Sequence, residues 1–454
     1  MAHRSIARSR LPVSLAVLAL AASLAGCGGS GDDEQDLNTL NGQAPLILGH
    51  RGLPGLYPEE TLPAYEGAVD AGADSLEQDL HLTKDCVLVA RHNPWLSDNT
   101  NIADIAALIP EVAARKRTTP GVLVNVAYDV AQYGGPSQYL SDRIDPADPK
   151  SVLKALVVDG EDHTGDWSIT DFTVAELKAW IGGTTYDARD QRPSNLNGQY
   201  PVLTMQEIID LAKAKSALTG RTISVYPETK NPYWNNAQAI ANGCDVAGTG
   251  HPFEDAVVKL IKDNGLNSKT APIFVQSFDP ASLKYMRSIG LATKVVQLID
   301  GDDVDYKTGK MIYSGPNDVY TFVDGRPYSW TVAGDGRYFD SLLTPAGLAE
   351  IKTYADGIGP WKPQVMKLSG SADGSLKGVT SATPTSLIAD AHKAGLFVHV
   401  YTFRNESKYL AGVFNNDPAA ELTTYFKSGV DGVFTDFANT AVPTLKEYLK
   451  STGR

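Results

Sequence analysis

From residue 46 to the C-terminus, short β-rich runs alternate with amphipathic stretches, and this regularity constrains the fold more than any other feature. The runs are "LILGH" (46–50), "SLEQDLHL" (75–82), "VLVARH" (87–92), "TISVYPE" (222–228), "PIFVQSF" (272–278), "KVVQLI" (294–299), "DGIGP" (356–360), "FVHVYTF" (397–403) and "DGVFTD" (431–436). Between them fall helical patterns such as "LPAYEGAVDAG", "PFEDAVVKLIKDNG", "PASLKYMRSIG", "TSLIADAHKAG" and "ELTTYFKSGV". Strand–helix alternation predicts a parallel sheet wrapped by helices. Nine strands are one more than a (β/α)8 barrel needs. The second and third are joined by Thr83–Cys86 alone, too short for a parallel crossover, so they are expected to form an antiparallel hairpin. The expected fold is α/β: a distorted TIM-type (β/α)8 barrel spanning 46–450. Residues 101–200, rich in Gly, Pro, Asp and Tyr, read as an insertion on its rim.

The first residues stand apart from this pattern. Arg4, Arg8 and Arg10 precede the apolar "LPVSLAVLALAASLAG", which is too short for a stable membrane span and reads as a signal segment, residues 1–26. "LAGC" resembles a bacterial lipobox, which implies cleavage before Cys27, acylation of its sulfur and a flexible tether over 27–45. The expected location is the periplasmic or cell-surface side of a membrane, held through acylated Cys27. Loss of residues 1–26 would move the formal charge from −13 to −16. Such an acidic chain is ill suited to neutralising phosphates, so nucleic acid is excluded as a partner. No protein partner is predicted. Two further cysteines remain, Cys86 and Cys244. An exported chain meets an oxidising compartment, which allows them to pair; two buried free thiols are the alternative.

Barrel active sites lie at the C-terminal ends of strands. There the chain carries His50 and Arg51, then Glu77 and Asp79 two apart on one strand face, then Glu228 and Lys230 likewise. A four-residue loop at 83–86 would set His92 opposite Glu77 and bring it to the same face, whereas a one-residue slip would turn it away. Glu77, Asp79 and Glu228 make a hard oxygen set suited to Ca²⁺ or Mg²⁺. His50 and His92 suit general acid–base work, and Arg51 and Lys230 suit a phosphate.

At these residues the chain resembles the glycerophosphodiester phosphodiesterase family, especially its larger exported bacterial members. "GHRG", "PEETLPAY", "GADSLEQDLHLTKD", "LVARH", "VYPETK", "VQSFD", "HVYTFRNE" and "GVDGVFTDF" carry the likeness, in order. The resemblance implies metal-dependent hydrolysis of glycerophosphodiesters to glycerol 3-phosphate and an alcohol. By position it makes His50 and His92 the catalytic pair, and Glu77, Asp79 and Glu228 the ligands of one divalent cation. Arg51 and Lys230 become phosphate contacts, and Glu59 a supporting residue. It also implies that the substrate's own 2-hydroxyl attacks phosphorus. Asn93 departs from the pattern, standing where many members carry an acid. Two other functions compete with this one: a phospholipase C- or D-like enzyme acting on intact lipids, and a non-catalytic surface-binding lipoprotein.

Overall fold

The structure, a computed structural model, describes residues 37–118, 155–185, 191–313 and 325–454. The segment read above as a signal, and Cys27, lie outside the described residues. Nine strands form one sheet: β1 (Leu46–Gly49), β2 (Ser75–Leu82), β3 (Leu88–Ala90), β4 (Ser224–Thr229), β5 (Phe274–Ser277), β6 (Lys294–Ile299), β7 (Gly357–Pro360), β8 (Phe397–Phe403) and β9 (Gly432–Thr435). Parallel pairing runs β2–β4–β5–β6–β7–β8–β9, and β1 pairs in parallel with both β9 and β2. The eight parallel strands therefore close into a barrel. Helices on the outside connect most of the parallel strands; β2 is followed first by β3 and the insertion, and β6 first by a two-stranded ribbon, Asp303–Asp305 with Lys310–Ile312. The helix leading into β4, Met205–Thr219, begins with a capping box in which the Thr204 and Glu207 side chains each satisfy the other's backbone N–H, and it stops at Gly220 (φ +68°).

β3 pairs antiparallel with the protruding end of β2, as the short link requires, but in a different register from that expected. Leu80 faces Ala90, His81 faces Val89 and Leu82 faces Leu88. Thr83 N–H donates to Val87 O at 3.0 Å, so the turn holds only Lys84, Asp85 and Cys86. Cys86 takes the left-handed conformation (φ 65°) that three-residue hairpin loops use. The slip does not turn His92 away. Regular pairing ends at Ala90; after Arg91 N–H donates to Asp79 O at 2.8 Å the chain leaves the ladder, freeing His92 from strand alternation. Cys86 is disulfide-bonded to Cys244, which tethers this turn to the segment after the helix Pro232–Ala241.

The main core lies between barrel and helices. Inside the barrel a separate cluster forms from Leu48, Tyr226, Phe274, Val296 and Phe434, with Tyr226 stacked on Phe274 at 4.7 Å. Large side chains fit there because glycines on neighbouring strands leave room for them. A Cβ on Gly432 would sit 2.8 Å from the His399 ring, and one on Gly357 would sit 2.2 Å from Phe397. This plugged floor leaves only the C-terminal ends of the strands open to ligand. At the opposite, N-terminal face Leu37 is buried and Leu40 N–H donates to Asp431 at 2.6 Å.

Candidate active site

One cavity of about 340 Å³ opens at the C-terminal end of the barrel, lined by His50, Arg51, Glu77, Asp79, His92, Glu228 and Lys230 among others. Of the candidate site residues read from the sequence only Glu59 does not line it, and Glu59 braces a residue that does. Its carboxylate accepts from Arg51 Nη1 at 3.2 Å and from Asn99 Nδ2 at 2.6 Å.

Strand register builds the carboxylate set. Asp79 of β2 is the parallel neighbour of Glu228 of β4, and Glu77 lies two residues earlier on the same face. Ligand oxygens of Glu77, Asp79 and Glu228 come within 4.8 Å of one another. Glu77 is held at both oxygens, by Arg51 N–H at 2.8 Å and Gln276 Nε2 at 3.2 Å. The Arg51 amide points there because its backbone is left-handed (φ 55°), a conformation that costs an L-residue about 1–2 kcal/mol. Gly52 follows at φ +93°, where a Cβ would lie 2.6 Å from the Ala64 backbone, so the third residue of "HRG" has to be glycine.

Like charges held this close and away from water oppose ionisation. Burial first, then Asp79, pushes Glu77 well above its ordinary range. Burial pushes Glu228 up to about 8, a shift that Lys230 reduces and Asp79 reinforces. Asp79 is the exception: burial raises it, but Arg51 and Lys230 together outweigh that and hold it below its ordinary value. Lys230 lies 3.5 Å from Glu228 and 4.0 Å from Asp79. Buried carboxylates in this number are balanced by a cation, and three converging oxygens fit a hard divalent ion. The residues present fit such a group.

The two histidines have different surroundings. His50 Nδ1 donates to Asp436 Oδ1 at 2.5 Å, which leaves its Nε2 as the free nitrogen on the cavity side. Burial, then Arg51, lowers its pKa to about 4 against the opposing pull of Asp436, so His50 is neutral near pH 7. His92 Nε2 lies 3.2 Å from Lys230 Nζ. Asp436 also accepts from Arg192 Nη2 at 2.5 Å and Arg404 Nε at 2.9 Å. Arg192 belongs to the insertion and donates in addition to Glu406 at 2.5 Å.

The sequence reading missed several residues here. Asp436 ends the run "DGVFTD", so the strand-end rule that selected His50 would also have selected it. Glu60, assigned no role, accepts the Asp79 N–H at 2.7 Å and is buried. Arg192 and Trp95 come from the segments after β3 and carried no local signal. Asn93 lines the cavity and, with Trp95, donates to Asp98 (2.6 and 2.5 Å), so an acid of this loop serves as their shared acceptor.

The model of the glycerophosphoryl diester phosphodiesterase family matches residues 50–440. The glycerophosphodiester phosphodiesterase GDPD6 of Arabidopsis thaliana is 32% identical over 401 residues, covering 87% of this chain and 84% of its own. The glycerophosphodiester phosphodiesterase of Haemophilus influenzae is 26% identical over 451 residues, 95% of this chain and 98% of its own. Among solved structures, a Silicibacter pomeroyi protein assigned as a glycerophosphoryl diester phosphodiesterase shares the fold. Its TM-score is 0.50 at 18% identity, covering 91% of this chain and 98% of that one. A barrel with this strand order, and a family match across nearly all of it, make the chain an enzyme belonging to the glycerophosphoryl diester phosphodiesterase family.

Proposed function

We propose that the protein hydrolyses glycerophosphodiesters to glycerol 3-phosphate and an alcohol, with His50 and His92 as the acid–base pair. The observation that carries this is the placement of both histidines, three carboxylates, Arg51 and Lys230 around one cavity. Glu77, Asp79 and Glu228 would hold Ca²⁺ or Mg²⁺, which when bound offsets negative charge on the phosphate. Arg51 and Lys230 orient the phosphate, and Lys230 keeps a proton donor beside His92. One histidine takes the proton of the glycerol 2-hydroxyl as that oxygen bonds to phosphorus. The other protonates the alkoxide as its P–O bond breaks, leaving a cyclic 1,2-phosphate. Water then opens the ring with the two roles exchanged. The 2-hydroxyl is already tethered to the phosphate, and well-placed intramolecular nucleophiles reach effective molarities of about 10⁵–10⁸ M.

A charged floor in a cavity of about 340 Å³ suits a deacylated diester rather than an intact lipid. The leader and Cys27 support an exported, lipid-anchored enzyme, and the mass of the mature N-terminal peptide tests that. The activity itself is tested by glycerol 3-phosphate release from a headgroup panel, with and without chelator. Chelation is expected to abolish turnover and Ca²⁺ or Mg²⁺ to restore it. A 2-deoxy analogue is expected to bind but turn over very slowly; hydrolysis at the natural rate would make water the nucleophile.

A further inference from the structure

Two of the site residues lie just beyond the regular sheet, where no ladder holds them. His92 comes after the chain has left β3, and Lys230 comes one residue after β4 ends at Thr229. Their side chains nevertheless meet, with His92 Nε2 3.2 Å from Lys230 Nζ. A buried pair with no part in the mechanism above, His81 and Asn235, ties both backbones in place.

His81 is third in the alternating series that begins with Glu77 and Asp79, so it points to the same face of β2. It is fully buried and does not line the cavity. Asn235, also fully buried, sits on the helix Pro232–Ala241 that follows β4. Its Oδ1 accepts the Leu82 N–H at 3.3 Å, and its Nδ2 donates to Lys230 O at 2.6 Å. These two contacts fix the amide, since a flip would set oxygen against oxygen and nitrogen against nitrogen. Nδ2 also donates to His81 Nδ1 at 2.9 Å. His81 Nδ1 is therefore an acceptor, and the ring carries its proton on Nε2. That nitrogen donates to the His92 carbonyl oxygen at 3.3 Å. One run of hydrogen bonds thus joins the Lys230 carbonyl to the His92 carbonyl and leaves both side chains free to face the cavity.

We propose that His81 is a positioning residue, holding His92 at its working distance from Lys230, with Asn235 setting the His81 tautomer. His81 touches no reacting atom and acts through His92. The role rests on the phosphodiesterase reading above, in which His92 moves a proton.

Two substitutions at His81 separate this role from one in stability alone. In His81→Asn the side-chain oxygen stands in for Nδ1 as acceptor for Asn235, but the shorter amide does not reach His92. In His81→Gln an amide N–H reaches about as far as Nε2. On glycerophosphoglycerol, His81→Asn is expected to lower kcat by about 10–100-fold with KM within about twofold. His81→Gln is expected to keep kcat within about threefold of wild type. The deciding measurement is a double-mutant cycle. Added to His92→Ala, His81→Asn is expected to cost less than about twofold more, because no imidazole remains to be positioned. A loss as large on His92→Ala as on wild type overturns the proposal, since a structural defect acts in both backgrounds. His81→Gln stands alone if His81→Asn does not fold: a kcat below about one-tenth of wild type overturns the proposal. Wild-type turnover with an unchanged kcat in His81→Asn sinks only the role of His81. Failure of the wild type to turn over any glycerophosphodiester sinks the proposed function, and the role of His81 with it.

Discussion

His50 Nδ1 and Asp436 Oδ1, 386 positions apart in sequence, lie 2.5 Å from each other. Asp436 is held well below the ordinary carboxylate range because Arg192, Arg404 and His50 outweigh the effect of its burial. It is therefore a fixed acceptor that keeps the His50 proton on Nδ1 and its lone pair on Nε2, toward the cavity. Asp436→Asn can donate instead of accept, favouring the other tautomer. Turnover is expected to fall by about 10²–10⁴-fold with little change in KM. Steady-state kinetics decide, and an unchanged kcat removes Asp436 from the catalytic arrangement.

Arg192 connects the insertion to this pair without reaching the cavity lining. Arg192→Met removes one of two guanidinium groups on Asp436 and is expected to lower kcat by about 10–100-fold. Added guanidinium at non-denaturing concentration should restore part of the loss, which a merely unfolded variant would not show. Absence of rescue, together with a lowered melting temperature that accounts for the lost activity, would make Arg192 only a structural clamp.

The Cys86–Cys244 disulfide closes a loop of 158 residues that includes the insertion. In the chain-entropy model a loop this long contributes up to about 5 kcal/mol. The Cys86→Ser/Cys244→Ser variant is expected to lose about 2–5 kcal/mol in urea unfolding while keeping its turnover at moderate temperature. Equal unfolding midpoints for variant and wild type would show that the hairpin turn is held by other contacts.

His399 sits inside the barrel floor, its Nδ1 2.9 Å from the Tyr226 hydroxyl, and burial lowers its pKa from 6.5 to about 4. The unfolded chain takes up this proton near pH 6.5 while the folded chain does not until about 4. Stability from this group is therefore fully present above pH 6.5 and drains away as pH falls toward 4. Between pH 7 and pH 5 the loss is about 2 kcal/mol. Urea unfolding of wild type and His399→Gln at both pH values isolates the contribution, since the other titrating groups are common to both. Identical pH slopes would refute it.

Much of the barrel and most of the site were readable from local patterns because parallel strands buried on both faces write themselves as continuous apolar runs, ended by polar residues. β2, β6 and β8 begin and end where the pattern placed them. The hairpin register was misread by one residue because turn length depends on the left-handed backbone at Cys86, and cysteine does not advertise that conformation. The insertion was legible only as an interruption. Its contributions, Arg192 to Asp436 and Asp159 to Asn231, are long-range pairings with no periodicity to betray them. The two-stranded ribbon of Asp303–Asp305 and Lys310–Ile312, which follows β6, also went unread, its strands being too short to show alternation.

The closure of β1 on β9 has a bearing on biosynthesis. His50 follows the first strand made and Asp436 the last, and residues 46–49 find their partners only at 432–435. A growing chain that has not yet released its final strand holds both histidines and all three carboxylates but lacks the acceptor that sets the His50 tautomer. On the proposed mechanism, His50 is without its fixed acceptor until residue 436 has been delivered. Any C-terminal truncation that reaches residue 436 leaves the other site residues in the chain and the His50 proton free to settle on the wrong nitrogen.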